Sequence, residues 1–81
     1  MNKRYTQFQL KEALEQLHQT ISSINGDDFD DINLQLDMEH LYHHLNTAWN
    51  ARNATDKDTD ECSQANFEKW RQFPTDIDLS C

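Results

Sequence analysis

The sequence predicts a mainly α-helical protein, built as an antiparallel helical hairpin with a short third helix. Three observations support this fold class. Two segments carry apolar residues at alternating spacings of four and three, which is the heptad pattern of a helix with one apolar stripe. A short Asn-Gly turn separates these segments, and short connections favour antiparallel neighbours. An aromatic pair one helical turn apart then precedes the single proline.

The first heptad segment predicts a helix from about Gln7 to Ile24. Thr6 and Gln9 match a capping box, in which each side chain accepts a hydrogen bond from the other residue's backbone N–H. Gly26 marks the end, because glycine adopts the left-handed conformation that closes a helix without a Cβ clash. The apolar stripe consists of Leu10, Leu14, Leu17, Ile21 and Ile24.

The second heptad segment predicts a helix from about residue 28 to Arg52 or Asn53. Asp27 or Asp28 is expected to cap it, since a carboxylate there accepts backbone N–H bonds and suits the positive end of the helix dipole. Its stripe consists of Leu34, Met38, Leu41, Leu45 and Ala48.

Residues 31–36 also fit a second interpretation. Ile32, Leu34 and Leu36 alternate with polar residues, which is the period of a half-buried strand. The tail around Ile77 and Leu79 alternates in the same way. A short two-stranded β element, pairing 31–36 with 76–79, is therefore the alternative to a helix that begins near residue 28.

The remainder of the chain predicts less regular structure. Residues 54–62 are expected to form an acidic loop, and a third helix is expected from about Ser63 to Phe73, where Pro74 ends the pattern. Residues 74–81 are expected to be a loosely ordered tail.

Size indicates one small helical domain, residues 1–81. So short a chain buries only about 60% of the surface that its unfolded form exposes. Two heptad stripes also present more apolar surface than one short helix covers. We therefore expect a homodimer that completes a four-helix bundle.

The charge balance favours a basic protein partner. Asp and Glu number 15 against 7 Lys and Arg, which gives a formal charge of -8. Such a chain is repelled by nucleic acid and anionic membranes and attracts basic surfaces. Because no segment approaches the roughly 20 apolar residues of a membrane span and no secretory signal is evident, we expect a cytoplasmic protein. In that compartment Cys62 and Cys81 are expected to be free thiols.

The carboxylates fall into groups that predict a partner-binding surface. If the groups converge, they form an array like the phosphates of a nucleic-acid backbone, and the protein could inhibit a basic partner by mimicry. One aromatic side chain off the heptad stripe adds an exposed apolar contact. The predicted partner-binding residues are Asp27, Asp28, Asp30, Asp31, Asp56, Asp58, Asp60, Glu61 and Phe8.

The histidines suggest a second function, metal binding. His40 and His44 stand four residues apart and share a helical face, and Asp37 lies one turn earlier. This spacing offers two imidazoles to one metal ion. The alternatives are histidines at the rim of an apolar stripe, or a pH-sensitive interface.

Catalysis finds little support in the sequence. A single glycine cannot build a phosphate-binding loop, and the carboxylates around Cys62 disfavour its thiolate. We expect no enzymatic activity and no cofactor.

Overall fold

The computed structural model describes residues 1–61 and 63–80, and within them the chain forms four helices. These are α1 (Lys3–Ser23), α2 (Asp31–Asn50), α3 (Asp56–Glu61) and α4 (Gln64–Trp70). The two long helices pack side by side in opposite directions and form the predicted hairpin. Cys62 and Cys81, and with them the prediction of free thiols, lie outside the described residues.

Helix α1 begins four residues earlier than predicted. Asn2 is its N-cap, and the Asn2 side-chain oxygen accepts a hydrogen bond of 3.0 Å from the Tyr5 backbone N–H. The capping box predicted at Thr6 and Gln9 is therefore wrong, because both residues lie inside the helix.

Asn2 prevails as the cap because it also joins the start of α1 to the chain that follows α2. Its side-chain amide donates to the Ala54 carbonyl (3.0 Å) and to Asp56 Oδ1 (3.1 Å), and its backbone N–H donates to the Arg52 carbonyl. These partners are 50 to 54 residues away along the chain.

Helix α2 begins at Asp31, where Asp30 and Asn33 form a reciprocal capping box with bonds of 3.0 and 3.1 Å. The prediction that Asp27 or Asp28 caps this helix is wrong. The alternative β element is also wrong, since residues 31–36 form the first turns of α2 and residues 76–79 form no strand. The two capping bonds fix the helical start that the alternating pattern had left open.

The segment predicted as an acidic loop contains the short helix α3. Thr55 directly precedes α3, and its hydroxyl accepts a hydrogen bond of 3.1 Å from the Asp58 backbone N–H. Ser63 caps α4, the last helix, by accepting a hydrogen bond of 3.1 Å from the Asn66 backbone N–H. This helix ends at Trp70, three residues earlier than predicted.

Helix α4 is held against α2 by two asparagines. The Asn46 amide donates to the Arg71 carbonyl (2.9 Å), and the Asn50 amide donates to the carbonyls of Trp70 (2.8 Å) and Gln72 (2.6 Å). These bonds satisfy carbonyls that a helix leaves unpaired at its C-terminal end. Trp70 is buried at 6% exposure, with its ring centroid 6.0 Å from that of Tyr5.

The interior between α1 and α2 is small and polar. Its buried side chains are mostly alanines, glutamines and one histidine, and the buried apolar residues of the described chain are Ala13, Ala48, Ala51 and Trp70 alone. No large side chain among the described residues is completely buried. The hairpin therefore lacks a leucine core of its own.

The two heptad stripes face sideways, away from this interior. At about 100° per residue, the α1 stripe lies roughly a quarter turn from the row of buried Gln9, Ala13 and Gln16. Leu10 and Leu45 line one surface depression of ≈ 290 Å³, so both stripes lie on the same side of the hairpin. We call this surface the leucine–isoleucine face; it consists of Leu10, Leu14, Leu17, Ile21, Ile24, Leu34, Met38, Leu41 and Leu45.

Helix α4, which corresponds to the predicted third helix, does not cover this face. Its anchors Asn46 and Asn50 lie on the opposite side of α2, more than 100° from the stripe. Seven residues of the face remain between 37% and 61% exposed. None of the helices that the structure describes combines the length and the apolarity needed to cross a membrane.

Candidate functional site

Four carboxylates surround the turn between α1 and α2, and we call them the acidic turn: Asp27, Asp28, Asp30 and Asp31. All four are exposed. Asp30 caps α2, whereas the other three make no ion pair with any described residue. The hydrogen bonds of the capping box hold the turn in place and leave these three carboxylates to solvent.

The whole net charge of the chain lies in the half of the hairpin that carries this turn. Residues 12–51 contain eight carboxylates and no lysine or arginine. The other seven carboxylates are matched by the seven cations, all within residues 3–11 and 52–71. The sequence analysis grouped neighbouring carboxylates and did not predict this polarity, although the sequence has no lysine or arginine between Lys11 and Arg52.

The second predicted group, on α3, lies at the other end of the hairpin. Arg4 Nη2 contacts Asp56 Oδ1 at 3.0 Å and Asp60 Oδ1 at 3.4 Å. Its hydrogen bond, followed by that from Asn2, lowers the pKa of Asp56 below its ordinary value. Asp58 and Glu61 form no ion pair within the part of the chain described.

The two acidic groups do not converge. At 1.5 Å per residue, the length of α1 separates them by about 30 Å. The tail carboxylate Asp76 also lies away from the turn. It accepts a hydrogen bond of 2.9 Å from Nε1 of Trp49, near the end of α2. The continuous array required for nucleic-acid mimicry is therefore not formed by these groups together.

Phe8, the predicted apolar contact, is 50% exposed and its ring centroid lies 6.2 Å from that of Tyr5. Its exposure resembles that of the stripe residues Leu10 and Leu14. Exposure alone thus gives Phe8 no special place, and the larger apolar surface is the leucine–isoleucine face.

His40 and His44 lie between the two long helices, each paired with a glutamine. His44 Nδ1 lies 2.7 Å from Gln9 Oε1, and His40 Nδ1 contacts Gln16 Oε1. The two Nε2 atoms are 3.1 Å apart. The sequence predicted the shared face of the histidines but not their glutamine partners, which come from the other helix.

The glutamines fix which imidazole nitrogen carries the proton. The Gln9 amide donates to the Tyr5 hydroxyl (3.0 Å), and the Gln16 amide donates to Thr20 Oγ1 (3.1 Å). Each Oε1 therefore faces a histidine and must accept an Nδ1–H bond. A hydrogen bond between the two Nε2 atoms, which lie 3.1 Å apart, would need a further proton on one of them.

Asp37 does not join the histidine pair. Its Oδ2 accepts a hydrogen bond of 2.9 Å from Thr20 Oγ1. His43, the third histidine of α2, lies on the α4 side, where its ring centroid is 5.1 Å from that of Phe67. No group of three or more His, Cys, Asp or Glu residues in positions 1–61 and 63–80 is arranged to hold a metal ion.

Burial keeps His44 neutral near pH 7. Desolvation, followed by the influence of His43 and His40, lowers the pKa of His44 to about 4. Desolvation also lowers the pKa of His43, with smaller contributions from His40 and Arg71. Neutral imidazole is the form that binds metal ions.

Comparison of the chain with protein-family models, with curated proteins and with solved structures finds no match in any of the three.

Proposed function

We propose that this chain is a small acidic interaction protein with a regulatory role, which binds a basic protein partner through the acidic turn. The observation that carries the proposal is the polarity of charge: eight carboxylates and no lysine or arginine in residues 12–51. A surface of one sign attracts an opposite one over a distance of about a Debye length and raises the rate of encounter.

The α3 group plays a secondary part in this proposal. Arg4 offsets part of the charge of Asp56 and Asp60, so the surface around them is less acidic than its carboxylates alone would make it. The acidic turn has no such cation nearby in sequence. Because single exposed charges contribute little to affinity, binding depends on the set of carboxylates and weakens as salt rises.

The test compares two variants with the same change of net charge. The first, Asp27→Asn/Asp28→Asn/Asp31→Asn, neutralises the acidic turn but keeps the Asp30 cap. The control, Glu12→Gln/Glu15→Gln/Glu39→Gln, neutralises carboxylates along the helices. Each is used to capture proteins from the native host lysate at low salt, with stepwise salt elution.

We expect the wild type and the control to retain one basic protein that elutes at moderate salt, and the turn variant to lose it. Equal loss in both variants would show that net charge alone attracts the protein. Equal retention would contradict a role for the turn. A nucleic-acid-binding partner would favour mimicry by the turn alone.

This proposal involves no catalysis, no cofactor, and no direct contact with nucleic acid or membrane. The cytoplasmic location stays a prediction. The leucine–isoleucine face is a separate surface, so the proposal does not depend on the predicted dimer.

A specific observation favours a second candidate function, metal binding by His40 and His44. Their Nε2 atoms lie 3.1 Å apart, which allows one Zn²⁺ ion to bond to both nitrogens at the usual Zn–N distance of about 2.0–2.1 Å. Glutamine oxygens accept from both Nδ1–H groups, an outer contact that metal-binding histidines regularly have. Asp37 would have to leave Thr20 to become a third ligand.

Zinc titration followed by histidine NMR shifts tests this candidate. Metal binding predicts stoichiometric shifts of His40 and His44 that His44→Gln abolishes and His18→Gln leaves intact. Unchanged shifts at one equivalent of Zn²⁺ would exclude it.

A further inference from the structure

The leucine–isoleucine face is as large as the largest apolar patch on a typical monomer, and its residues recur regularly along both helices. Its seven exposed residues present on the order of 600 Å² of apolar area, the upper end of the 300–600 Å² typical of the largest patch on a monomer. A standard interface buries about 800 Å² on each partner. The face, with the polar rim around it, therefore matches one side of a stable interface.

The isolated chain has little else to hold it together. Among the residues that the structure describes, three of the four buried apolar ones are alanines, and the hairpin interior consists largely of hydrogen-bonded polar groups. Chains of this length need an additional source of apolar burial. The cover of the face must therefore be present whenever the chain is folded, which a second copy provides and an occasional partner does not.

The arrangement of the face also suits a second copy. Two antiparallel helices with heptad stripes on one side are half of a four-helix bundle, and a two-fold axis through the face pairs it with itself. Glu12, Glu15 and Glu39 lie more than 100° from the stripes around their helices, so their carboxylates stay out of such an interface.

Charge decides how the two copies are oriented. With the turns together, two surfaces that each carry the whole charge of -8 would lie side by side. With the turns at opposite ends, each acidic half lies beside the half of the partner in which seven cations balance seven carboxylates, so this repulsion is avoided. We propose that a second copy of this chain covers the leucine–isoleucine face, with the two turns at opposite ends of a four-helix bundle.

The first experiment measures molar mass by light scattering, under reducing conditions, for the wild type and two variants. Leu14→Glu places a charge in the face at a residue that is 50% exposed, whereas Leu36→Glu places it on another side of α2 at a residue that is 59% exposed. We expect a mass of twice 9.6 kDa for the wild type and Leu36→Glu, and a monomer for Leu14→Glu. A wild-type monomer or higher oligomer, or a dimer that only Leu36→Glu dissociates, would overturn the proposal.

The second experiment uses only the wild type, so it stands even if Leu14→Glu fails to fold. Copies with labelled methyl groups are mixed with unlabelled copies, and NOEs between copies are recorded. Contacts of Leu10 with Ile24 or Leu34 of the other copy are expected. Contacts of Leu10 with the other copy's Leu10 would overturn the orientation, and an absence of contacts between copies would overturn the dimer.

Discussion

At the scale of single residues, side-chain amides account for much of the order in this molecule. Asn2 joins the start of α1 to the chain beyond α2, and Gln9 and Gln16 hold His44 and His40 of α2. Each amide has partners on two sides, which fixes its orientation. The contacts of Asn2 with Ala54, of Gln9 with His44 and of Gln16 with His40 join residues that are 24 to 52 positions apart. Spacing in the sequence therefore does not predict them.

The burial of His44 predicts a dependence of stability on pH. Its pKa is about 4 when folded and about 6.5 when unfolded, so below pH 6.5 the unfolded chain binds more protons at this site. The contribution of His44 is therefore full above pH 6.5 and is lost as the pH falls towards 4. Between pH 7.5 and pH 5 this lowers the free energy of unfolding by about 2 kcal/mol.

Urea unfolding between pH 7.5 and pH 5, with a chelator present to exclude metal ions, measures this effect. The wild type should lose more stability on acidification than His44→Gln, which removes the titrating group and keeps a hydrogen-bonding side chain. His18→Gln, at an exposed position, serves as the control and should follow the wild type. Parallel curves for all three proteins would show that His44 does not control this loss.

At the scale of elements, the sequence predicts the helices better than their packing. Heptad spacing and Gly26 correctly indicate two long helices and the turn between them, whereas the last helix ends at Trp70, three residues before the end that Pro74 predicted. A heptad stripe shows that residues share a face, but not what that face packs against. Here small and polar residues line the contact between α1 and α2, and the leucines face outward.

The helix starts were missed for a related physical reason. Several residues near each start can serve as a cap, and the choice depends on bonds beyond the helix. Asn2 prevails over Thr6 through its contacts with Ala54 and Asp56, and Asp30 prevails over Asp27 through Asn33. Of the candidate site, the acidic turn was predicted as a group, whereas the Gln–His pairs and the polarity of charge were not.

The docking of α4 by asparagines leads to an element-scale prediction. Asn46→Ala removes the donor to the Arg71 carbonyl at a buried position, and we expect a loss of about 1–3 kcal/mol in the stability of the α4 contact. Hydrogen exchange should show faster exchange in residues 64–70, while α1 and α2 keep their protection. Gln72→Ala, which retains the backbone carbonyl that accepts from Asn50, is the control. Unchanged α4 exchange in Asn46→Ala would refute this role.

At the scale of the whole molecule, two surfaces of different chemistry lie on one small hairpin. The leucine–isoleucine face supplies apolar area that a second copy covers, and the acidic turn projects from the end of the hairpin. In the proposed dimer the two turns point in opposite directions, so each remains free to bind a basic partner. Apolar burial is little affected by salt, whereas attraction between exposed charges is screened.

The most direct test of this division is the molar mass of the complex with the captured basic partner, measured by light scattering at low and at high salt. The account predicts that high salt releases the partner and leaves the chain at twice 9.6 kDa. A partner that stays bound while the chain falls to a single 9.6 kDa copy would contradict it, because the apolar face would then hold the partner and not a second copy.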